Sequence, residues 1–169
     1  AEEESLVICL ISGGGSSLLV SPWAGISLSE KQTATDLLLR AGADISELNT
    51  VRKHISRVKG GRLAELASPA KTISLILSDV IGDRLDVIAS GPTSPDNTTY
   101  DDAMKVIERY GLKDTMPRSI IETLEKGRRG LISETPRESS TVFQRVENVI
   151  VGSNKRAIDA AKAEAMALG

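Results

Sequence analysis

Apolar residues recur along this chain in two rhythms, unbroken runs and a spacing of three and four, and together they predict alternating strands and helices. Leu6-Val7-Ile8-Cys9-Leu10-Ile11 is a continuous apolar run, the pattern of a central strand covered on both faces. Ser12-Gly13-Gly14-Gly15-Ser16-Ser17 breaks it, and Pro22 and Gly25 prolong the loop. Ser27-Leu28-Ser29-Glu30 reads as a capping box that opens a helix to about position 41, where Gly42 supplies the stop. A second helix is expected over 47–58, capped by Ser46 and followed by Gly60-Gly61 and a short helical turn to about position 67. Further strands are expected over 72–77 and 148–151, and further helices over 99–109, 117–126 and 154–168. The stretch 127–145, rich in Arg, Ser, Thr and Glu, reads as an exposed connection.

Strands alternating with helices predict an α/β fold, three-layered and Rossmann-like, with a mainly parallel sheet and helices on both faces. The 169 residues suffice for one substantial core but not for two ordinary domains. The chain is therefore read as a single α/β domain fragment over 1–169. Both ends look cut: Ala1-Glu2-Glu3-Glu4 lacks a methionine and runs straight into a strand, and Gly169 directly follows a helix.

Composition narrows the function classes only by exclusion. With 40% hydrophobic and 26% charged residues the chain reads as a globular protein, and its net charge of −2 gives no general reason to bind nucleic acid or an anionic membrane. No stretch approaches the ~20 apolar residues of a membrane span, so the cytoplasm is the expected compartment. The single cysteine, Cys9, sits in the first apolar run and reads as a buried spectator thiol. Any anion binding must be local.

In an open parallel sheet, ligands bind beyond the carboxyl ends of the strands. Gly13, Gly14 and Gly15 fall there; they let a backbone approach a ligand and present successive amides, while Ser16 and Ser17 add hydroxyls. A plain flexible turn also suits this triplet, and the loop matches neither a Walker A sequence nor Gly-x-Gly-x-x-Gly. On the helix expected over 47–58, Leu48, Val51, Ile55 and Val58 form the apolar stripe, and Asn49, Arg52, Ser56 and Lys59 a polar one beside it. Two cations and two neutral hydrogen-bonding groups suit a phosphate or carboxylate, with Gly60 and Gly61 allowing close approach; a solvated basic face is the plainer alternative. His54 projects from the opposite flank and reads as structural, with a base as the alternative if the helix kinks near Ser56. Asp79 and Asp83, with Asp86 behind them, could hold Mg²⁺ or supply a base, or could simply cap turn amides. Ser90, Gly91, Thr93 and Asp96 belong to another rigid polar loop with a close-approach glycine, for which a plain turn is the alternative.

Taken together, LISGGGSSLL (10–19), ELNTVRKHISRVKGGRLA (47–64), LILSDVIGDRLDVIASGPTSPD (75–96), DAMKVIERYGL (102–112) and VIVGSNKRAIDAA (149–161) resemble the glycerate 2-kinase family, whose members have also been labelled hydroxypyruvate reductases. Ser17 stands where that pattern would have alanine. The resemblance implies ATP-dependent, Mg²⁺-assisted phosphorylation of the 2-hydroxyl of D-glycerate in a cleft between two domains. It implies that Gly13, Gly14, Gly15 and Ser16 contact nucleotide phosphates or substrate. Arg52, Lys53 and Lys59 would neutralise phosphoryl or carboxylate charge, and Asp79 and Asp83 would be candidates for metal ligand or base. It further implies an N-terminal segment with a Gly-Lys-Ala motif and a second domain, neither of which this chain contains, so the fragment alone is expected to turn over little or no substrate. A small-molecule partner, glycerate, is expected, and a homodimer stays open. The rival readings are a non-catalytic domain that binds phosphate or sugar acid, and an NAD(P)H-dependent reductase, which lacks its dinucleotide fingerprint here.

Overall fold

The computed structural model describes residues 2–169. Along the chain run β1 (Leu6–Ile11), α1 (Gly15–Leu18), α2 (Leu28–Ala41), α3 (Ile45–His54), α4 (Arg62–Ala67), β2 (Lys71–Ser78), α5 (Tyr100–Arg109), α6 (Arg118–Arg128), β3 (Val146–Ser153) and α7 (Asn154–Leu168). The strands form one parallel sheet in the order β1-β2-β3, with Leu6 opposite Lys71, and Thr72 opposite Val146. The parallel α/β architecture is the one the apolar runs predict.

The coverage of the sheet differs from expectation. Side chains alternate across a strand, so neighbouring residues report opposite faces. In β1, Val7, Cys9 and Ile11 are half-buried while Leu6, Ile8 and Leu10 are exposed, Leu10 by 80%. In β3 the same split exposes Val149 and Val151. Neither strand is buried on both faces: β1 lies at an edge, and one apolar face of the sheet is largely uncovered among the described residues. The sequence reading assumed a second cover because both sides of each run are apolar. Cys9 is accordingly half-buried, and burial pushes its thiol up, partly offset by a hydrogen bond with Ser74.

The main core lies instead among the helices, where Leu38 of α2, Val51 of α3, Ile107 of α5 and Leu124 of α6 are fully buried. Each such side chain contributes about 1.5–3 kcal/mol on leaving water. At its centre Tyr100 stands edge-on to His54, 4.7 Å between ring centroids, and accepts a hydrogen bond from Arg62 at 3.1 Å. Gly127 of α6 packs flat against the Tyr100 ring, where a Cβ would stand 2.2 Å from Cγ. Gly127→Ala is therefore expected to destabilise the protein by about 1–3 kcal/mol or more through overpacking, read as a lower urea midpoint. An unchanged midpoint would mean that the ring has room to move.

Local chemistry explains the helix ends. α2 begins at a complete Ser27–Glu30 capping box and stops at Gly42, as expected. α3 begins earlier than expected because Asp44, not Ser46, is the cap. Its side chain accepts from the Ser46 and Glu47 amides, and the Asp44 amide donates back to Glu47. α3 also ends earlier, at His54, because the Ile55 carbonyl accepts from Trp23 N–H at 3.0 Å and Arg57 N–H donates to the Ser21 carbonyl at 2.9 Å. Those tertiary bonds replace further helical turns. The connection expected to be exposed is largely so, but its middle, around Thr135 and Pro136, is threaded against the core. Thr135 is buried and donates to Asp96 at 2.9 Å, and the Ser133 carbonyl accepts from Arg62 at 2.8 Å. At these two points the segment satisfies buried partners rather than water.

Candidate active site

The glycine loop leaves the carboxyl end of β1, and three segments converge on it. Gly14 takes the left-handed conformation (φ 78°) that lets the chain reverse into the single turn of α1. Gly13 lies against the next strand end: a Cβ there would stand 2.6 Å from Asp79 Oδ2. Beyond the strand ends Ser12, Gly13, Asp79, Ser153, Asn154 and Arg156 border an open concavity of about 750 Å³.

Ser16 is the hub. Its carbonyl accepts from Arg52 Nη2 at 2.9 Å and from Lys59 Nζ at 2.7 Å. Lys59 also donates to Ser16 Oγ at 3.1 Å and to the Ala89 carbonyl at 3.4 Å. Ser90 Oγ donates its one proton to Asn49 Oδ1 at 2.9 Å, so the 2.6 Å contact between the two serine hydroxyls runs from Ser16 to Ser90. Asn49, Arg52, Lys59, Ser16 and Ser90, expected at one site, thus meet. Lys59 joins them although it lies beyond α3, so the helical spacing that grouped it with Arg52 does not explain the meeting. Ala89 (φ 52°) and Ser90 (φ 62°) are both left-handed without being glycine, strain of the kind that concentrates at functional sites.

Other expected site residues do different work. Lys53 points away from Arg52 and pairs with Asp96 at 3.1 Å, both nearly fully buried. Ser56 donates to the Ser21 carbonyl at 3.3 Å. Thr93 accepts from Ser74 and donates to Asn148, inside the molecule. Gly60 and Gly61 bring the backbone close to other backbone rather than to open space. Their amides donate to the Ser90 and Gly91 carbonyls, and a Cβ on Gly61 would stand 2.9 Å from the Ser94 carbonyl. Gly91 packs likewise on the backbone of Asp86, which pairs with Arg84 at 2.7 Å. Ser17 donates to the Gly14 carbonyl at 2.8 Å. Gly15 lies against Ala89, where a Cβ would come within 3.2 Å. His54 is held by the Thr50 carbonyl and Glu134, consistent with the structural reading. Asp83 sits in a left-handed turn (φ 52°), and the described residues contain no group of three or more His, Cys, Asp or Glu placed to hold a metal.

The sequence reading missed Lys31. It is only 5% exposed, and its ammonium has no hydrogen-bond partner among the described residues. With Ser16, Arg52, Asp36 and the apolar Val20 and Leu28 it lines a second, smaller cavity of about 200 Å³. The signal was available: Lys31, Ala34 and Leu38 share one stripe of α2, spaced by three and four, so a cation interrupts a buried face.

These cations stand uncompensated. Among the described residues no carboxylate lies within ion-pair distance of Lys31, Arg52 or Lys59. Burial, then the Arg52 guanidinium and Lys31, bring the Lys59 ammonium down to about 7. Burial and Arg52 bring Lys31 down to about 8, and burial lowers Arg52 itself. Between about pH 8 and the ordinary lysine value of 10.5, the unfolded chain binds more protons at position 31 than the native one, so ligand-free stability rises with pH across that window. Lys31→Met should flatten this rise, measured as the change in Tm between pH 7.5 and 10. An identical slope in the variant would show that Lys31 is not desolvated.

Known proteins match this chain in sequence and in fold. Residues 1–125 match the family model described as "Domain of unknown function (DUF4147)". The chain is 50% identical over 167 residues to the D-glycerate 2-kinase of Thermotoga maritima and 45% identical over 166 residues to the glycerate kinase of Homo sapiens. Those alignments cover 99% and 98% of this chain but 37% and 31% of the relatives, so the chain spans about a third of their length. It superposes over its whole length on the crystal structure of a Pyrococcus horikoshii protein with a TM-score of 0.88 at 47% identity, covering 38% of that chain. On the crystal structure of the Thermotoga maritima glycerate kinase the TM-score is 0.85, again at 47% identity and 38% coverage. The chain belongs to the DUF4147 family and is related along its entire length to the glycerate kinases.

Proposed function

We propose that this chain carries part of the active site of a cytoplasmic glycerate 2-kinase, which transfers the γ-phosphoryl group of ATP to the 2-hydroxyl of D-glycerate. The observation that carries the proposal is the carboxylate-free pair of cations, Arg52 and Lys59, drawn onto the glycine loop through Ser16. Phosphoryl transfer asks mainly for positioning and for cations around the transferred group, and a buried cation site without counter-ions supplies both. The acceptor hydroxyl oxygen bonds to the γ-phosphorus, the bond from that phosphorus to the leaving oxygen of ADP breaks, and the hydroxyl proton passes to a base.

Asp79 is the residue we assign to Mg²⁺ or to the base. It stands at the end of β2 beside Gly13, and its carboxylate makes no ion pair among the described residues. Mg²⁺ commonly takes one or two protein carboxylates and fills its shell with water and substrate phosphates, so a lone Asp79 fits such an ion. The metal would supply neutralisation of phosphate charge. Asp83, held in its turn, has less to recommend it. The large concavity at the strand ends is the natural seat for the nucleotide.

We further propose that a second domain completes the cleft, and that the uncovered apolar face of the sheet packs against the remainder of the protein. The test is a coupled ADP-release assay on the full-length protein with D-glycerate, ATP and Mg²⁺. ADP release that requires D-glycerate supports the proposal. NAD(P)H oxidation with hydroxypyruvate, without ADP release, would replace it with a reductase.

A further inference from the structure

We infer that Lys31 and Arg52 form a binding site for the carboxylate of the acceptor, and that Lys31 is a specificity-determining residue for small 2-hydroxy acids. The two side chains line one cavity of about 200 Å³, a size for a few-carbon acid rather than a nucleotide. Both hold donors that nothing among the described residues uses: the Lys31 ammonium and Arg52 Nε are buried without partners there. A carboxylate presents two acceptor oxygens and one negative charge, which would satisfy two such donors and offset their mutual repulsion. A buried, unpaired ammonium is costly, so a lysine held this way belongs to a site whose counter-ion arrives with the ligand.

The surroundings favour a small acid over a phosphoryl chain. Val20 and Leu28 give the cavity an apolar wall, and Gln32 and Thr35 add neutral hydrogen-bonding groups suited to a hydroxyl. Asp36, also on the lining, would repel a second negative charge and so disfavours a dianionic group deep in the cavity. The glycine loop separates this cavity from the concavity at the strand ends: Ser16 and Ser17 face the small one, Ser12 and Gly13 the large one. An acceptor anchored at Lys31 and Arg52 therefore lies across the loop from the place assigned to the nucleotide. The site as an anion site follows from the geometry; the identity of the acid rests on the glycerate-kinase reading.

Lys31→Met keeps the buried aliphatic stem and removes the charge. In the full-length protein it is expected to weaken D-glycerate binding, measured by calorimetry, by about tenfold to a hundredfold, the loss of one hydrogen bond to a charged group. KM for D-glycerate should rise alike, with KM for ATP changed less than about twofold, and Lys31→Arg should restore part of the affinity. Tm of the ligand-free variant should equal or exceed that of the native protein, because an unpaired buried charge has been removed. Unchanged D-glycerate affinity in Lys31→Met overturns the inference. So does a loss of ATP or inorganic phosphate affinity with D-glycerate binding intact, which would make this a phosphate site. If no acid elicits ADP release but D-glycerate or lactate binds in a Lys31-dependent way, the kinase reading falls and the carboxylate site stands.

Discussion

Lys59→Met in the full-length protein is expected to lower kcat for ADP release at least ~100-fold while the fold persists, because it removes a preorganised positive charge whose three N–H groups hold the glycine loop through Ser16 and Ala89. Lys59 is fully buried, yet its ammonium is spent on no carboxylate. It gathers Ser16 and the strained Ala89 carbonyl, and burial above all, with Arg52 and Lys31 nearby adding to it, depresses its ionisation to about 7. A folded protein gains little by keeping three repelling cations together, so the arrangement makes physical sense only with an anion present. When a phosphoryl group or carboxylate arrives, the cations repel each other less in effect and Lys59 holds its proton at higher pH. The alkaline fall in activity should therefore begin at lower pH when D-glycerate and ATP are below saturation than when they are saturating. Arg52→Ala should fall in the same range, and the double variant should lose much less than the product of the two single losses, because both act through Ser16. A Lys59→Met protein with kcat within threefold of native would remove Lys59 from the chemistry and reduce it to a strut for the glycine loop.

Lys53→Met is expected to do the opposite, costing about 3–5 kcal/mol of stability and leaving little folded protein to assay, because removing one partner of a buried pair strands the other's charge. Asp96 is 1% exposed and accepts from Lys53, from the amide and hydroxyl of Thr98 and from Thr135, which ties the loop after Gly91 to α3 and to the 133–136 segment. Burial pushes its carboxyl up, but the Lys53 ammonium and the Thr98 donors outweigh that and leave it below the usual carboxylate range. The pair thus contributes stability that is present above the ordinary aspartate value of 3.8 and is lost as pH falls through the lowered native value. Equilibrium urea unfolding of Lys53→Met, and of Lys53→Met with Asp96→Leu, separates the causes. The double variant should recover much of the loss, since an apolar pair can replace a buried ion pair at small cost. If Lys53→Met folds normally but loses turnover, Lys53 belongs with Arg52 and Lys59 after all.

Adjacent in sequence, Lys53 and Arg52 mark where reading the chain succeeds and where it stops. The alternating architecture was legible, because unbroken apolar runs and stripes spaced by three and four follow from strand and helix geometry alone. The α2 boundaries were legible too, since the Ser27–Glu30 box and Gly42 act through bonds within a few residues. Residue type marked the glycine loop, the basic stripe of α3 and the Ser90 loop as separate candidates; only the family resemblance joined them into one site. What the sequence could not decide was which polar groups face each other across distance. Lys53 departs from Arg52 by one helical step of about 100° and so meets Asp96, 43 positions away, instead of the loop. Lys59 reaches Ser16 only because Ile55 and Arg57 bond to the preceding loop and bend the chain out of its helix. Lys31 is a surface residue by composition and a buried, unpartnered one by packing, which places its stripe of α2 against the core. Local geometry fixes elements because their bonds close within a few residues; site chemistry depends on contacts between segments far apart in sequence, and only the packed structure chooses among those.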